Sequence, residues 1–329
     1  MERPMADMTL PARAAGFLRA NDWAGASVTP LAGDASFRRY FRVIDGQRRA
    51  ILMDAPPPHE DPRPFLSVAG WLAERGFSAP AIIAAEPEAG LVLLEDFGDD
   101  RMREVVDVAP GVGVTYYEAA VDLLVELARH PAGPFAPYDR AVLQREAALL
   151  VEWYCPAVGL DVDAAGYATA WDKVLGHALT DAPVTVLRDY HAENLMLVGP
   201  DRRLGLLDFQ DALAGHPAYD LVSLLQDARR DVESSVEEAM LARYRAATGL
   251  GDEFGRAYHV LGAQRNAKIV GIFTRLWKRD GKERYPALCP RVWAYLERDL
   301  MQPVLEPVTE WFDANIPPEL RGDPLVLAR

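Results

Sequence analysis

The chain has very little cysteine and no long hydrophobic run. Only Cys155 and Cys289 occur among its 329 residues, and neither has a Cys-x-x-Cys or Cys/His neighbour. The sequence therefore predicts two buried thiols in a reducing compartment, with neither a disulfide nor a zinc site. No stretch approaches the roughly 18 consecutive apolar residues that a membrane span needs, and the N-terminus lacks the apolar block of a secretory signal. We expect a cytoplasmic protein with no membrane partner.

Basic residues are also scarce. Lys and Arg total 35 against 49 Asp and Glu, which gives a formal net charge of -14. An acidic surface repels phosphate backbones, so the composition argues against nucleic acid as a partner. No feature indicates an obligate protein partner, and a small ligand remains compatible with this charge.

The pattern of apolar residues changes along the chain. At 329 residues the chain is too long for one compact core. After a helix over 9–21, alternation and turn residues predict strands within 28–43, 49–53, 81–85 and 91–94, with a helix over 64–76. Helical periods then dominate, over 116–130, 139–154, 167–179, 220–230, 236–248 and 254–278. We predict an α+β protein with a β-rich N-lobe, 1–96, and a helical C-lobe, 97–329, whose tail from 315 is irregular.

Two polar clusters, each after an apolar strand, carry the candidate chemistry. Asp189 and Asn194 follow the apolar residues 184–187, and Asp208-Phe209 begins fourteen residues after Asn194. The spacing Arg-Asp-x4-Asn followed by Asp-Phe matches the catalytic and metal loops of kinases. Phosphoryl transfer needs Mg²⁺ across the phosphate oxygens and a carboxylate directed at the attacking hydroxyl. We therefore predict Asp189 as the catalytic base, Asn194 and Asp208 as Mg²⁺ ligands, and ATP as the donor.

These motifs resemble those of the aminoglycoside phosphotransferase and choline kinase superfamily. More narrowly, the chain is similar to the bacterial N-acetylmuramate/N-acetylglucosamine anomeric kinases of peptidoglycan recycling. The segments that carry the resemblance are 34–36, 39–42, 52–57, 188–194, 208–212, 219–221 and 264–268. The resemblance implies a bilobal protein-kinase-like fold with ATP in the cleft between the lobes. It also implies an amino sugar as acceptor, phosphorylated at its anomeric hydroxyl.

The same resemblance assigns residues to the nucleotide and to the catalytic loop. It implies that the main chain of Glu95 and Phe97 binds adenine in the hinge, and that Asp220 braces the catalytic loop by hydrogen bonds. One element departs from the kinase pattern, because Met53 stands where kinases carry a strand lysine and no lysine precedes Lys173. Guanidinium groups bind phosphate in bidentate fashion. The candidates beside Ser36 are Arg38, Arg39 and Arg42, of which we favour Arg39 together with Ser36.

The acceptor contacts are open at this point. His191 is either a core histidine or a substrate contact, and Glu193 and Asp211 either orient sugar hydroxyls or are solvated acids. Arg265 and Lys268 recur with two later arginines at helical spacing, which places a basic strip on one helix face. That strip either recognises an anion such as a lactyl carboxylate or is a solvated face paired with acids.

Two alternative functions compete with the amino-sugar kinase. An antibiotic kinase would act on a cationic aminoglycoside and prefer an acidic pocket, which the basic strip disfavours. A nucleotide-binding protein without turnover would explain the missing strand lysine. Retention of all three residues of the predicted phosphoryl-transfer site favours an active enzyme.

Overall fold

The computed structural model describes residues 9–31 and 38–328. The strands are β1 Ser27–Leu31, β2 Arg39–Asp45, β3 Arg48–Asp54, β4 Ile82–Glu86, β5 Leu91–Glu95, β6 Val184–Val186, β7 Leu195–Val198, β8 Arg203–Leu206 and β9 Leu213–Gly215. The α-helices are α1 Ala12–Ala20, α2 Arg63–Ala73, α3 Met102–Val108, α4 Pro110–Leu127, α5 Arg140–Ala147, α6 Cys155–Ala157, α7 Ala164–Val174, α8 Ala218–Leu225, α9 Ser234–Thr248, α10 Asp252–Asp280, α11 Cys289–Leu300, α12 Glu306–Asn315 and α13 Pro324–Leu327. Short 3-10 turns and one π-helical turn, Leu150–Tyr154, complete the helical structure.

The residues pack into two compact units. Among the described residues, the first contains those up to Val108 together with Glu193–Asp211, and the second contains Ala109–Ala192 and those from Ala212 to Ala328. The strand-rich and helical halves predicted from the sequence are confirmed. The lobe boundary at residue 96 stays a prediction.

The first unit is built on an antiparallel sheet of order β1-β2-β3-β5-β4. Side chains alternate between the faces of a strand. One face is covered by α1, whose Phe17 joins Phe41, Leu52 and Leu93 in a buried core. The opposite face therefore carries Tyr40 and its cross-strand partner Met53, together with Arg42. The sheet thus has one face packed against α1 and a second face that carries Tyr40, Arg42 and Met53.

A short hairpin of the first unit, β7 with β8, lies between the two polar clusters of the sequence. Leu195 pairs with Leu206 and Val198 with Arg203. Leu206 also contacts the segment that follows α2, because its N–H donates to the Ser78 carbonyl at 2.8 Å. The hairpin is therefore attached to the sheet-bearing part of the unit by main-chain bonds.

Helix α10 is the central element of the second unit. It packs against α5, α8 and α11, and most of its length is buried. Gly271 permits the close approach of the preceding chain, because a Cβ at this position would lie 2.3 Å from the backbone carbon of Leu149. The predicted helix over 220–230 ends early, at Leu225. Its end is stabilised by the Asp227 carboxylate, which accepts the Arg229 N–H at 2.9 Å in a turn.

A buried carboxylate beside α10 gives this unit a testable pH dependence. Asp299, on α11, accepts a bond from Gln226 and lies 2.8 Å from His259 Nδ1. Burial raises the pKa of Asp299 to about 6, although His259 opposes the rise. The unfolded carboxyl has a pKa of about 3.9. Between these two values the native chain binds more protons than the unfolded chain, so the contribution of Asp299 to stability falls as the pH rises.

We expect Asp299→Asn to remove this fall in stability at higher pH, because asparagine does not titrate. The difference in melting temperature between the variant and the wild type should grow in favour of the variant as the pH is raised from 4 to 7. Asp122→Asn is the control, because a hydrogen bond from Arg243 holds the pKa of Asp122 low and its contribution has the opposite sign. Parallel stability curves for wild type and Asp299→Asn would contradict the assignment.

Candidate active site

The β7–β8 hairpin brings Asn194 and Asp208 together in the first unit. Asn194 immediately precedes β7, and Asp208 follows β8 after one intervening residue. The Leu207 N–H donates to the Asn194 carbonyl at 3.0 Å, and the two side chains approach to 3.5 Å between Asn194 Nδ2 and Asp208 Oδ2. An amide and a carboxylate are thus presented side by side.

This donor pair suits a magnesium ion. Mg²⁺ takes oxygen ligands and is usually held by one or two protein groups together with phosphates and waters. Rotation of the Asn194 amide presents its oxygen beside the exposed Asp208 carboxylate. Within residues 9–31 and 38–328, no group of three or more His, Cys, Asp or Glu side chains is arranged to hold a metal. The pair fits a cation that is completed by a nucleotide and disfavours a closed structural metal site.

The loop that carries Asp208 has a constrained backbone. Asp208 has φ +57°, a left-handed conformation that is uncommon outside glycine and concentrated at functional sites. Gln210 Nε2 donates to Asp208 Oδ1 at 2.8 Å. The next residue, Phe209, is fully buried and stacks on Phe65 of α2 with ring centroids 5.0 Å apart. The aromatic contact and the Gln210 bond together hold the carboxylate in one direction.

Arg38 is a guanidinium that acts on the same tyrosine as this carboxylate. Its Nε is 3.3 Å from Glu60 Oε2. Burial raises the pKa of Tyr40, Arg38 opposes the rise, and Asp208 adds to it. Arg38 and Asp208 therefore both act on the Tyr40 hydroxyl. Sequence reasoning named Arg38 only as an alternative to Arg39, because the pattern of a strand does not reveal what lies above each face.

Arg39 lies on the other face of the sheet. Its Nε donates to Asp54 Oδ2 at 2.8 Å, and Arg13 of α1 pairs with the same buried carboxylate. Strand alternation places the Arg39 side chain on the α1 face and the Met53 side chain, at the position where kinases carry lysine, on the opposite face. The nucleotide role of Arg39 stays a prediction. Ser36, its predicted companion, lies outside the described residues.

The predicted hinge follows β5. The Glu95 N–H donates to the Ala81 carbonyl at 2.9 Å, and Glu95 Oε2 accepts the Ala81 N–H at 3.2 Å. Phe97 packs its ring against β8, since a Cβ on Gly205 would lie 2.7 Å from Phe97 Cε2. The Phe97 side chain therefore has a packing role in addition to the predicted main-chain role.

Sequence reasoning missed an ion-pair cluster at this hinge. Arg42 Nε lies 2.8 Å from Asp96 Oδ2, and the same guanidinium reaches Asp99 at 2.8 Å. The Asp96 side chain is 2% exposed and also accepts the Gly98 N–H at 2.9 Å. The alternation of β2 was the available signal, because it places Arg42 on the same face as Tyr40.

Asp189 lies in the second unit, on the loop after β6. Its N–H donates to the Leu187 carbonyl at 2.9 Å. Asp220, in the first turn of α8, accepts the N–H groups of Leu187 at 2.6 Å and Arg188 at 2.8 Å. Burial raises the pKa of Asp220 to about 7, and the two N–H bonds oppose the rise. The loop that ends in Asp189 is thus held by both oxygens of one buried carboxylate.

The predicted acceptor contacts are distributed over both units. In the second unit, His191 is buried with its Nε2 3.2 Å from an Arg229 nitrogen. Burial, with help from Arg229 and Arg265, holds the pKa of His191 well below its usual value, so the ring is neutral at physiological pH. In the first unit, Glu193 accepts from Arg103 at 2.7 Å, and Asp211 is exposed. Their substrate roles stay predictions.

Arg265 and Lys268 are not on a solvated face of α10. Both side chains are buried, and Arg265 donates to Ser223 Oγ at 2.8 Å while Lys268 Nζ lies 3.0 Å from Glu146 Oε2. The solvated-strip interpretation is wrong for these two residues, because the helix is central to its unit and its cations are paired inside. Helical spacing identified a shared face but could not identify its surroundings.

Three comparisons with known proteins agree with one another. Residues 27–259 match the family described as the phosphotransferase enzyme family. A protein of Caulobacter vibrioides named N-acetylmuramate/N-acetylglucosamine kinase is 38% identical over 93% of this chain and 97% of its own length. A Pseudomonas aeruginosa protein of the same name is 42% identical over 83% of each chain.

The fold is similarly shared. The structure of a choline/ethanolamine kinase family protein from Mesorhizobium loti superposes with a TM-score of 0.64 at 16% identity, covering 91% of this chain and 97% of its own. The described helices include none with the length and apolar character that a membrane crossing requires. A family match that extends over most of the sequence, supported by relatives of nearly equal length, establishes that this chain belongs to the phosphotransferase enzyme family.

Proposed function

We propose that this phosphotransferase transfers the γ-phosphoryl group of ATP to the anomeric hydroxyl of N-acetylmuramate or N-acetylglucosamine, in the recycling of cell-wall amino sugars. The acceptor follows from the names of the relatives at 38% and 42% identity, both matched over most of their length. The structural observation that carries the chemistry is the side-by-side amide and carboxylate of Asn194 and Asp208 on one hairpin.

Each of the three central residues has one role in the proposal. Asn194 and Asp208 hold Mg²⁺, which when bound neutralises charge on the phosphate oxygens. Asp189 orients the acceptor hydroxyl and takes its proton as the oxygen bonds to phosphorus and ADP leaves. A hemiacetal hydroxyl is more acidic than an ordinary alcohol, so a carboxylate is a sufficient base.

The nucleotide contacts divide between main chain and side chain. We propose that the main chain of Glu95 and Phe97 binds adenine, with Ser36 near the phosphates. Arg39 was the preferred phosphate contact from the sequence, and its bond to buried Asp54 makes Arg38 a stronger candidate. Arg38 shares its electrostatic neighbourhood with Asp208, the proposed metal ligand.

The proposed acceptor contacts are three side chains near the two loops. Glu193 and Asp211 remain proposed sugar contacts, as does His191, although the ring of His191 is buried. The burial of Arg265 and Lys268 favours indirect action over contact with the sugar. Because these cations lie inside the protein, they do not argue against a cationic aminoglycoside as acceptor. The screen below therefore includes an aminoglycoside.

An acceptor screen with labelled ATP tests the proposal. We expect phosphate transfer to N-acetylmuramate and N-acetylglucosamine, with little or none to kanamycin. The methyl glycoside of N-acetylglucosamine is the matched control, because its anomeric oxygen is blocked while its other hydroxyls are intact. Transfer to the methyl glycoside would overturn the anomeric assignment, and transfer to kanamycin alone would replace the sugar by an antibiotic.

A further inference from the structure

We propose that Glu146, on α5, is a positioning residue for phosphoryl transfer. It holds the Arg188 side chain and thereby the backbone from which Asp189 projects. The inference rests on the proposed function, since it assigns Glu146 to the loop that carries the proposed base. Glu146 belongs to none of the sequence motifs, and its placement beside Arg188 is visible only in the fold.

Both oxygens of the Glu146 carboxylate are occupied. Oε1 accepts from the Arg188 guanidinium, and Oε2 accepts from the Tyr138 hydroxyl. Lys268 Nζ lies 3.0 Å from Oε2. Glu146 is 9% exposed, so these bonds form away from bulk water. The carboxylate is therefore fixed on one side by α10 and Tyr138 and can direct its other oxygen at Arg188.

The charges in this cluster require Glu146 to be ionised. Burial alone would raise the pKa of Glu146, but Lys268, Arg188 and the Tyr138 hydroxyl together outweigh burial and hold the pKa below its usual value. Burial alone would lower the pKa of Arg188, but Glu146, with smaller contributions from Tyr219, Tyr138 and Asp189, raises it above its usual value. One carboxylate thus lies between two buried cations. Removing its charge takes a buried counter-ion away from both cations, which is unfavourable in a buried site.

The Arg188 backbone is where this cluster meets the catalytic loop. Arg188 has φ +72°, a left-handed conformation that a side chain of this size adopts only when its surroundings impose it. Its N–H is held by Asp220 at 2.8 Å and its carbonyl by Ser223 Oγ at 3.1 Å. The bond from its side chain to Glu146 is a third anchor. Because Asp189 is the next residue, the direction of its carboxylate depends on these anchors.

Two of the anchors are supported by α10. Arg265 donates to Ser223 Oγ at 2.8 Å, and Lys268 pairs with Glu146. This accounts for the polar segment 264–268 that the sequence singled out. Its cations support the groups that hold Arg188. Glu146 contacts both Lys268 of α10 and the Arg188 side chain, and so connects the two.

The test is a double-mutant cycle on the full chain. Glu146→Gln should lower kcat about 10- to 100-fold through misplacement of the base, while KM for ATP and for the sugar changes little. If Glu146 acts through Arg188, the same substitution should have almost no further effect on kcat in an Arg188→Met background. Equal losses in both backgrounds would overturn the proposal, as would an unchanged kcat in Glu146→Gln.

A matched control separates positioning from general loss of stability. Glu237 is also buried, accepts a tyrosine hydroxyl, from Tyr258 at 2.7 Å, and pairs with an arginine, Arg298, at 2.5 Å. Its partners Gln226, Tyr258 and Arg298 all lie outside the catalytic loop, so Glu237→Gln should keep kcat within about twofold of wild type. A loss of kcat in Glu237→Gln equal to that in Glu146→Gln would show that both act only through stability.

Two further measurements keep the outcomes distinct. If Glu146→Gln does not fold, Lys268→Met serves in the same cycle, because it leaves Glu146 paired with one buried cation, Arg188. Lys268→Met should lower kcat several-fold in the wild-type background. In the Arg188→Met background it should lower kcat no further. Wild-type protein that phosphorylates no sugar would overturn the proposed function. Wild-type activity with an unaffected Glu146→Gln variant would overturn only the role of Glu146.

Discussion

Asp189→Asn is expected to lower kcat by about 10²- to 10⁴-fold, the range that a general base contributes. Asparagine keeps the size and the hydrogen-bonding reach of the side chain but cannot take a proton. Because both carboxylate oxygens of Asp220 hold the loop, the fold should be preserved. Steady-state rates with each acceptor, together with ATP affinity by calorimetry, measure the two effects separately.

Asp172→Asn is a suitable control for this substitution. Asp172 is an exposed carboxylate of the same unit, paired with Arg140 at 2.8 Å, and its loss should leave kcat unchanged. If Asp189→Asn retained the wild-type rate with every acceptor, the chemistry would not depend on this carboxylate. ATP binding by the wild type with no transfer to any acceptor would instead favour a nucleotide-binding protein without turnover.

Asp208→Asn is expected to produce the second large effect, on metal use. The substitution removes the only negative charge of the proposed Asn194–Asp208 pair, and a metal ion supplies several kcal/mol of transition-state stabilisation. We expect kcat to fall by at least about 100-fold and the Mg²⁺ concentration for half-maximal activity to rise. Asn194→Ala should change both quantities in the same direction by a smaller amount, because it removes a neutral ligand.

Metal binding can also be followed without turnover. Calorimetric titration of ATP with and without Mg²⁺ should show that the metal increases affinity in the wild type and not in Asp208→Asn. Asp201→Asn is the control, since Asp201 is an exposed carboxylate in the turn of the same hairpin. An unchanged Mg²⁺ dependence in Asp208→Asn would remove Asp208 from the metal site.

The Asn194–Asp208 pair could be predicted from the sequence because the geometry is local. Two apolar strands joined by a short turn return the chain to a neighbouring position, since paired strands lie about 4.8 Å apart. Residues just outside the two strand ends must then lie close together. The kinase spacing added the chemical identity of the pair, and the relatives add the family.

The surroundings of helices could not be predicted in the same way. The spacing of Arg265 and Lys268 indicates a shared face, but their partners Ser223 and Glu146 come from other helices. Strand alternation likewise puts Arg38 and Arg39 on opposite faces of the sheet, but it does not show what lies against each face. Which face is covered by α1 depends on long-range packing that periodicity does not report.

Some helices were missed for a simpler reason. Helices α11 and α12 were absent from the sequence prediction, and each carries proline in its first turn, Pro290 and Pro307. Proline interrupts a helical pattern elsewhere but is well tolerated at the first positions, where its missing N–H has no partner to lose. Treating these prolines as helix starts would have recovered both elements.

The buried cations of α10 also affect how genetic variation in this protein would be interpreted. Interior positions usually tolerate exchange among apolar residues of similar volume, yet Arg265 and Lys268 are interior residues whose contacts lead to the Asp189 loop. In a selection for growth on an amino sugar, loss-of-function substitutions should therefore also cluster on the buried face of α10. A survey that scored only solvent-lined positions would overlook them.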